Sequence, residues 1–315
     1  MNYLNLNPKN QQCLYYLENN LINLIKLYKN NNLPNKILLS GQKGIGKATL
    51  CYHLINFLFS QNEDYKYDLK NFKINNLNKS YKLVNNNSHT NLFTIKLLKD
   101  KKNIEISQIR SMIEYTNKST FNYDKKVILI NNAEYLNSNS LNSLLKVTEE
   151  PNENVFFIFI YNSSKKISKT LISRCLIFKI YLSFNESINV TNQIINDDLR
   201  NILNSDFVNY YYTPGRYVNL INFAKSNNID LKNYTLKDFL FHLIENKYYK
   251  KNNFIKFNIY SFIELYFLKS FTNTEQKSHF ISFYSNFIKK INNVNKFNLD
   301  YETLFMEFKH KVLNG

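Results

Sequence analysis

Short apolar runs alternate with segments of helical periodicity along the first half of the chain. Each run predicts a buried strand, and apolar residues spaced three or four apart between the runs predict helices. The predicted strands are Lys36–Leu39, Leu92–Lys96, Val127–Ile130, Val155–Ile160 and Leu176–Ile180. Strands that alternate with helices are typical of a parallel sheet covered by helices. We therefore predict an α/β fold with five strands.

The segments between these strands differ in periodicity. A helix is predicted near Lys47–Phe59, directly after the first strand, and another where Ile106, Ile109 and Ile113 repeat at helical spacing. Residues 60–90 are polar, rich in asparagine and without a clear period. They predict a surface connection between two elements of the sheet domain.

Beyond about residue 182 the alternation stops and helical periodicity takes over. One apolar stripe consists of Leu236, Phe239, Leu240, Leu243 and Ile244, with Thr235 as a plausible N-cap. A second stripe consists of Phe280, Phe283, Tyr284, Phe287, Ile288 and Ile291. Such stripes predict the core positions of helices. We predict three domains: a strand-and-helix domain over residues 1–182, a small helical domain over 183–225 and a C-terminal helical domain over 226–315.

Three of the five glycines lie together in one loop, Gly41-Gln42-Lys43-Gly44-Ile45-Gly46-Lys47, which fits the pattern GxxxxGK. The loop follows a predicted strand and precedes a predicted helix, the context in which backbone N–H groups and a helix N-terminus bind phosphate. Gly41, Gly44 and Gly46 would let the backbone approach the phosphates, and Lys47 would lie against the outer ones. The sequence therefore predicts a nucleotide-binding loop.

The residues that would hold magnesium beside this loop are missing. The pattern asks for Ser or Thr after the lysine, but Ala48 stands there, and a slip to Thr49 turns the side chain by about 100°. Asn131 and Asn132 follow the third strand, where an active enzyme places acids. Glu134 comes two residues later, where we expect the chain turn to misplace it. We predict no metal site and no ATP hydrolysis.

Two interpretations of the loop stay open. It either binds ATP or ADP without turnover, with Thr49 as a further contact, or is a relic that only shapes the turn between strand and helix. No cofactor is required in either case. His53, His89, His242, His279 and His310 are scattered without a metal-binding motif, so they too predict no metal.

A single arginine stands at the corner before the last predicted strand, in the segment Lys169–Cys175. Arg174 at such a corner can project beyond its own domain, and its planar guanidinium suits phosphate oxygens. We interpret it as an arginine finger for a neighbour's nucleotide. The alternative is a surface arginine in a salt bridge.

Composition narrows the class of protein further. The chain has 315 residues, of which 44% are hydrophobic and 16% aromatic, enough for two or three folded domains. Cys13, Cys51 and Cys175 are far apart, which excludes a zinc knuckle or disulfide framework and favours a reduced compartment. Val155–Ile160 is typical of the apolar runs, which are too short to span a bilayer. We expect a soluble, cytoplasmic protein without membrane contact.

The net charge is +17, from 41 basic and 24 acidic residues. A basic surface attracts phosphate backbones and acidic partners. An AT-rich genome gives the same excess of lysine and asparagine without any functional cause. Both explanations stay open.

Several motifs together resemble the delta-prime subunits of bacterial DNA polymerase III clamp loaders. These belong to the AAA+ family with the gamma/tau subunits and replication factor C. The matching stretches are Leu33-Pro34, the loop Gly41–Leu50, Ser88-His89, Ile106–Arg110, Asn142–Lys146, Glu149-Glu150-Pro151, Ser173-Arg174-Cys175 and Thr213-Pro214-Gly215-Arg216. They cover most of residues 33–220, whereas the last hundred residues match only in being helical.

The resemblance implies an AAA+, RecA-like P-loop sheet domain, a helical lid and an all-α collar domain within the boundaries given above. It implies that Arg174 is an arginine finger acting in trans, that Asn162 senses phosphate and that Arg216 is the second sensor in the lid. Implied partners are the gamma/tau and delta subunits, with the sliding clamp (beta) and primer–template DNA contacted through the complex. Delta-prime subunits do not hydrolyse ATP, and DNA-directed DNA polymerase activity belongs to the holoenzyme.

The chain departs from many relatives in two places. It lacks the four-cysteine zinc module expected between about residues 55 and 85, and Thr90 replaces a proline that often follows the Ser-His pair. Two alternative functions are an active AAA+ ATPase of the gamma/tau kind and a basic DNA-binding protein with a vestigial P-loop. The first predicts ATP turnover by the isolated chain, and the second predicts tight, salt-sensitive DNA binding.

Overall fold

The computed structural model describes residues 7–98, 101–118, 125–149, 154–273, 277–297 and 300–313. They form two compact units. The P-loop unit contains the described residues up to Ile194 together with Tyr212–Val218, and the C-terminal unit contains Ile195–Tyr211 and the described residues from Asn219 onward. The three-domain division at residues 182 and 225 stays a prediction.

The P-loop unit is built on one parallel sheet with the strand order β2-β3-β4-β1-β5. Its strands are β1 (Lys36–Gly41), β2 (Leu92–Ile95), β3 (Lys126–Asn131), β4 (Val155–Asn162) and β5 (Leu176–Lys179). Its helices are α1 (Glu18–Lys29), α2 (Lys47–Phe59), α3 (Lys79–Asn85), α4 (Ile106–Asn117), α5 (Ser138–Glu149), α6 (Lys169–Ile172) and α7 (Phe184–Ile195). The five predicted strands and their place in an α/β fold are confirmed.

Strand alternation gives the sheet two buried faces. Ile158 and Ile160 of β4 pack with leucines of α1 and α2, whereas Phe157 and Phe159 pack with α4 and Leu144 of α5. Because successive side chains point to opposite faces, the apolar run Val155–Ile160 of β4 fills both layers at once. The sheet is therefore covered on both sides, and only its edges and strand ends are open for function.

The prediction of an irregular connection over residues 60–90 is wrong in part, because helix α3 lies there. Asn78 caps this helix by accepting a hydrogen bond from the Tyr81 N–H at 2.6 Å. The Glu63 carboxylate accepts from the Ser80 N–H at 3.1 Å and from the Asn78 side chain at 2.6 Å. Helix α3 has seven residues and is bound by a carboxylate 17 residues away in the sequence. It is therefore too short to show a helical period.

His53 of α2 is fully buried and joins two segments of this region. Its Nε2 lies 3.1 Å from the Gln11 carbonyl oxygen, which can only accept, so Nε2 carries the proton. Its Nδ1 therefore accepts from the Tyr67 hydroxyl at 2.8 Å. Burial lowers the pKa of His53 to about 4. The imidazole is neutral and holds the segments around Gln11 and Tyr67 against α2.

The C-terminal unit is helical in all its described elements. They are α8 (Leu199–Ile202), α9 (Ser205–Val208), α11 (Leu236–Glu245), α12 (Tyr248–Lys251), α13 (Asn253–Asn273), α14 (Lys277–Phe297), α15 (Tyr301–Phe308) and a π-helical turn (Lys309–Leu313). Helix α10 (Pro214–Ser226) begins in the P-loop unit and ends in this one. Among the described residues no helix has the length and hydropathy needed to cross a bilayer.

Aromatic side chains form much of the core of the C-terminal unit. Phe239 of α11 makes edge-to-face contacts with Phe207 and Phe262, at centroid distances of 5.4 Å each. Thr235 caps α11 in a capping box with Asp238, as the sequence predicts. Of the second stripe, Phe287 and Ile291 are buried, so its assignment to a core is confirmed for these two positions.

Candidate functional site

The glycine loop connects β1 to α2 at the carboxyl edge of the sheet. Gly44 and Gly46 have φ values of +85° and +103°, a backbone conformation that residues with a Cβ rarely adopt. Gly46 is the N-cap of α2, and its carbonyl accepts from the Leu50 N–H at 2.9 Å. The sequence motif thus produces the left-handed turn that aims a helix N-terminus at the end of the strand.

Lys47 folds back onto the loop that carries it. Its Nζ donates to the carbonyl oxygens of Gly41 and Gln42, at 2.7 Å each, and the residue is only 6% exposed. Burial lowers the pKa of Lys47 to about 8, and the Glu134 carboxylate opposes this shift. The lysine predicted to contact phosphate is therefore bound to main-chain carbonyls of its own loop.

The start of α10 lies directly on the glycine loop. The Thr213 hydroxyl donates to the Lys43 carbonyl and the Gly215 N–H donates to the Gly44 carbonyl, at 2.9 Å each. The Ser187 hydroxyl of α7 donates to the Tyr212 carbonyl and fixes the turn from the other side. The predicted lid motif, Thr213–Arg216, thus contacts the predicted phosphate loop, although the two are about 170 residues apart in the sequence. We call residues 212–216 the lid turn.

Arg216, the predicted second sensor, follows this turn. Its guanidinium lies over the ring of Tyr212, 4.0 Å from the ring centroid, and its backbone N–H donates to the Thr213 carbonyl at 2.8 Å. A guanidinium over an aromatic face is stabilised by the ring quadrupole. The side chain is thus stacked within the lid segment, next to the loop.

Replacing Gly215 by alanine is expected to destabilise the P-loop unit by about 1–3 kcal/mol. The added Cβ would lie 2.8 Å from Gly44 Cα and 3.0 Å from Gly44 O, which are backbone atoms that cannot rotate away. Urea unfolding of the full chain measures the loss. Lys225→Ala on the exposed face of the same helix is the matched control, and an equal effect of both changes would contradict the expected clash.

Glu134 lies at the carboxyl edge of the sheet, next to the end of β4. Asn132 adopts a left-handed conformation with φ +64°, and the 3₁₀ turn Ala133–Tyr135 follows it. This reversal returns Glu134 to the sheet edge, where its Oε2 accepts from the Asn162 N–H at 3.2 Å. Glu134 thus lies at the sheet edge, while the expectation that it is misplaced as a metal-side acid stays a prediction. Asparagine tolerates positive φ far better than most residues, and this was the one signal for the reversal.

Asn162 ends β4 and pairs with Gly41 of β1 in the sheet register. The predicted phosphate sensor and the start of the glycine loop are thus neighbours, at the point where the strand order reverses and α/β proteins bind ligands. The Asn162 Oδ1 accepts from the Ser164 N–H at 3.2 Å. Its side-chain oxygen is therefore used within its own turn.

The residues present do not fit a magnesium–nucleotide site. Ala48, at the position of the missing metal ligand, packs against the core on the α1 and α2 side of the sheet. Thr49 is half-buried one position further along α2. Asn131 and Asn132 supply neutral amides where an anion would balance the metal charge. Within the described residues no group of three or more His, Cys, Asp or Glu side chains offers another metal site.

Arg174 lies far from the loop of its own chain. It follows α6, is exposed, and donates from Nη1 to the Thr170 carbonyl at 3.1 Å. The strand after it, β5, forms an edge of the sheet and begins at Leu176, opposite Ile37 near the start of β1. The glycine loop follows Gly41 at the other end of β1, about 13 Å away along the strand. The structure therefore separates Arg174 from the residues predicted to bind nucleotide.

The surroundings of Arg174 are apolar and basic. Leu176 is 41% exposed and Ile177 39% exposed on the two faces of β5, while Leu171 of α6 is buried and anchors the corner. Between Val155 and Asn185 the sequence contains five basic residues and no acidic one. The corner thus combines a long, exposed cationic side chain with exposed apolar residues on the edge strand β5.

The strand order, the GxxxxGK loop after β1 and the return of a helical segment to that loop define an AAA+ P-loop protein. Residues 17–183 match the protein family described as "DNA polymerase III, delta subunit". The match covers more than half of the chain, and the chain belongs to this family.

Parts of the chain are similar to individual curated proteins and to solved structures. The delta' subunit of Buchnera aphidicola subsp. Schizaphis graminum is 28% identical over 184 residues, which are 57% of this chain and 53% of that protein. The gamma/tau subunit of Mycoplasma genitalium is 30% identical over 155 residues, which are 49% of this chain and 24% of that protein. The chain thus spans about a quarter to a half of the length of these relatives. A solved gamma subunit-related protein of Thermotoga maritima aligns over 86% of this chain and 78% of its own, with 15% identity and a TM-score of 0.35.

Proposed function

We propose that this chain is a delta-prime-type subunit of a DNA polymerase III clamp loader and does not hydrolyse ATP itself. It assembles in the cytoplasm with gamma/tau and delta subunits and helps load the sliding clamp onto primed DNA. Arg174 completes the ATP site of a neighbouring gamma/tau subunit. ATP or ADP bound at its own loop is not required for this work.

The observation that carries the proposal is the position of Arg174 relative to the loop of its own chain. An exposed arginine at the far end of β1 from the glycine loop cannot serve that loop, whereas it is open to a neighbour. The uncovered apolar residues Leu176 and Ile177 beside it are the type of surface that a subunit contact buries. The names of the relatives, which are delta' and gamma/tau subunits, support the choice of neighbour.

The chemistry of the glycine loop supports the non-hydrolysing part. Phosphoryl transfer needs a metal ion held by acids and a lysine on the outer phosphates. Here Asn131 and Asn132 replace the acids, and Ala48 stands where a Ser or Thr hydroxyl would bind the metal. The same arrangement disfavours an active ATPase of the gamma/tau kind.

Co-expression with the gamma/tau and delta subunits of the same organism tests the proposal. We expect the chain to co-elute with both in size-exclusion chromatography and the isolated chain to show no magnesium-dependent ATP turnover. Separate elution, together with salt-sensitive DNA binding by the isolated chain, would instead favour the basic DNA-binding alternative. Turnover by the isolated chain that is lost in Lys47→Met would favour the ATPase alternative.

A further inference from the structure

Glu134 is an acidic side chain at the carboxyl edge of the sheet, beside the ends of β3 and β4. The left-handed Asn132 directs it there, and its Oε2 accepts from the Asn162 N–H at 3.2 Å. Asn162 pairs with Gly41, whose carbonyl accepts from Lys47 Nζ at 2.7 Å. The carboxylate and the ammonium are thus bound to residues that lie opposite each other on neighbouring strands.

Groups within the chain accept the hydrogen bonds of the Lys47 ammonium. The ammonium has two carbonyl acceptors in Gly41 and Gln42, and a carboxylate lies one strand away. A buried charge is costly unless it is paired and hydrogen-bonded. In an active P-loop protein the phosphates of the nucleotide supply this compensation. Here two carbonyls also accept from Lys47, and the Glu134 carboxylate raises its pKa.

We propose that Glu134 is a built-in counter-charge for Lys47 and that it weakens the binding of nucleotide phosphates to the glycine loop. An arriving phosphate has to draw Lys47 away from the two carbonyls and lie close to a carboxylate that no metal neutralises. Like charges repel, and they do so more strongly where the protein excludes water. The inference rests on the proposed non-hydrolysing role and gives a reason for weak nucleotide binding at the loop.

The lid turn also binds the glycine loop through hydrogen bonds. The Gly44 carbonyl is bound by the Gly215 N–H and the Lys43 carbonyl by the Thr213 hydroxyl, so the lid turn is also joined to the loop by hydrogen bonds. The charge of Glu134 is the part of this arrangement that a single isosteric change removes.

The test is the affinity of the full chain for ADP, measured by calorimetry with and without magnesium, in the parent and in Glu134→Gln. The amide keeps an oxygen to accept from the Asn162 N–H, so only the charge is lost. We expect ADP to bind at least about tenfold more tightly to Glu134→Gln, equally without magnesium, because one repulsive contact is removed. In the double change with Lys47→Met the gain is expected to vanish. Glu114→Gln, an exposed acid on α4, controls for overall charge and is expected to change nothing.

Three outcomes would overturn the proposal. Equal affinity of parent and variant, or no measurable binding by either, means that the Glu134 charge does not set phosphate affinity. Weaker binding by the variant, confined to magnesium-containing buffer, means that Glu134 helps to hold a metal–nucleotide complex. An independent check is the Lys47 amine titrated by NMR, whose pKa is expected to fall further in Glu134→Gln because the carboxylate raises it in the parent. These experiments use the chain alone, so their failure leaves the proposed role of Arg174 untouched.

Discussion

Replacing Arg174 by alanine is expected to slow ATP turnover at the adjacent gamma/tau site about 10³-fold. A guanidinium delivered in trans stabilises the charge that develops on the transferred phosphoryl group, and its planar fork contacts two oxygens at once. The exposed position of Arg174 at the corner before β5 makes this contact available to a neighbour. The measurement is clamp-stimulated ATP turnover in the complex, with the P-loop lysines of the other gamma/tau copies replaced so that one site is observed.

Two further changes make the result specific. Arg174→Lys keeps the positive charge without the fork, so we expect it to recover only a small part of the rate. Arg200→Ala removes another exposed arginine, which lies on the four-residue helix α8, and we expect it to leave turnover unchanged. Each complex is checked for assembly by size-exclusion chromatography. An intact complex with Arg174→Ala and parental turnover would refute the role of this arginine.

The sheet could be predicted because its strands are buried on both faces. A run such as Val155–Ile160 is apolar throughout, and only a strand between two helical layers needs that composition. The glycine loop was predictable for a similar reason, since Gly44 and Gly46 occupy backbone conformations that few other residues adopt. Both features depend on residues that are adjacent in the sequence, so they could be predicted without knowing which distant segments meet.

The remaining parts of the site depend on contacts that the sequence does not state. The return of Glu134 to the sheet edge follows from one positive φ at Asn132. The close contact between the lid turn and the glycine loop depends on the absence of a Cβ at both Gly44 and Gly215. Neither feature repeats with a period, and each requires knowing which distant segments meet. The sequence predicted the residue types at the site but not which main-chain groups Lys47 and Glu134 contact.

The loop has a structural use that needs no nucleotide. Gly41 can carry no Cβ because such an atom would lie 2.4 Å from the Ile180 carbonyl oxygen, and Gly44 supports the lid turn through its own carbonyl. Replacing these glycines would disturb the packing of β1 against the residue after β5, and the contact of the loop with the lid turn. This holds whether or not the metal ligands are present. The GxxxxGK pattern is therefore compatible with a subunit whose contribution to catalysis lies at Arg174.

Lowering the pH from 7 to 5 is expected to reduce the free energy of unfolding of the P-loop unit by about 2 kcal/mol through His53 alone. Burial lowers the pKa of His53 from its ordinary 6.5 to about 4. For a base whose folded pKa is depressed, the stabilisation is complete above the unfolded pKa. It is lost as the pH falls from about 6.5 towards 4, because the unfolded chain takes up the proton first. By pH 4 the loss reaches about 3 kcal/mol.

The hydrogen bonds of His53 explain why the fold resists its protonation. A proton on Nδ1 would face the Tyr67 hydroxyl, which now donates to that atom at 2.8 Å and would have to reverse. Urea unfolding at pH 7, 6 and 5 is compared between the parent, His53→Gln and His310→Gln, an exposed histidine. We expect the loss between pH 7 and 5 to shrink by about 2 kcal/mol in His53→Gln and to persist in His310→Gln. A parental slope in His53→Gln, or an NMR titration of His53 near its ordinary pKa, would show that this imidazole is not held neutral by the fold.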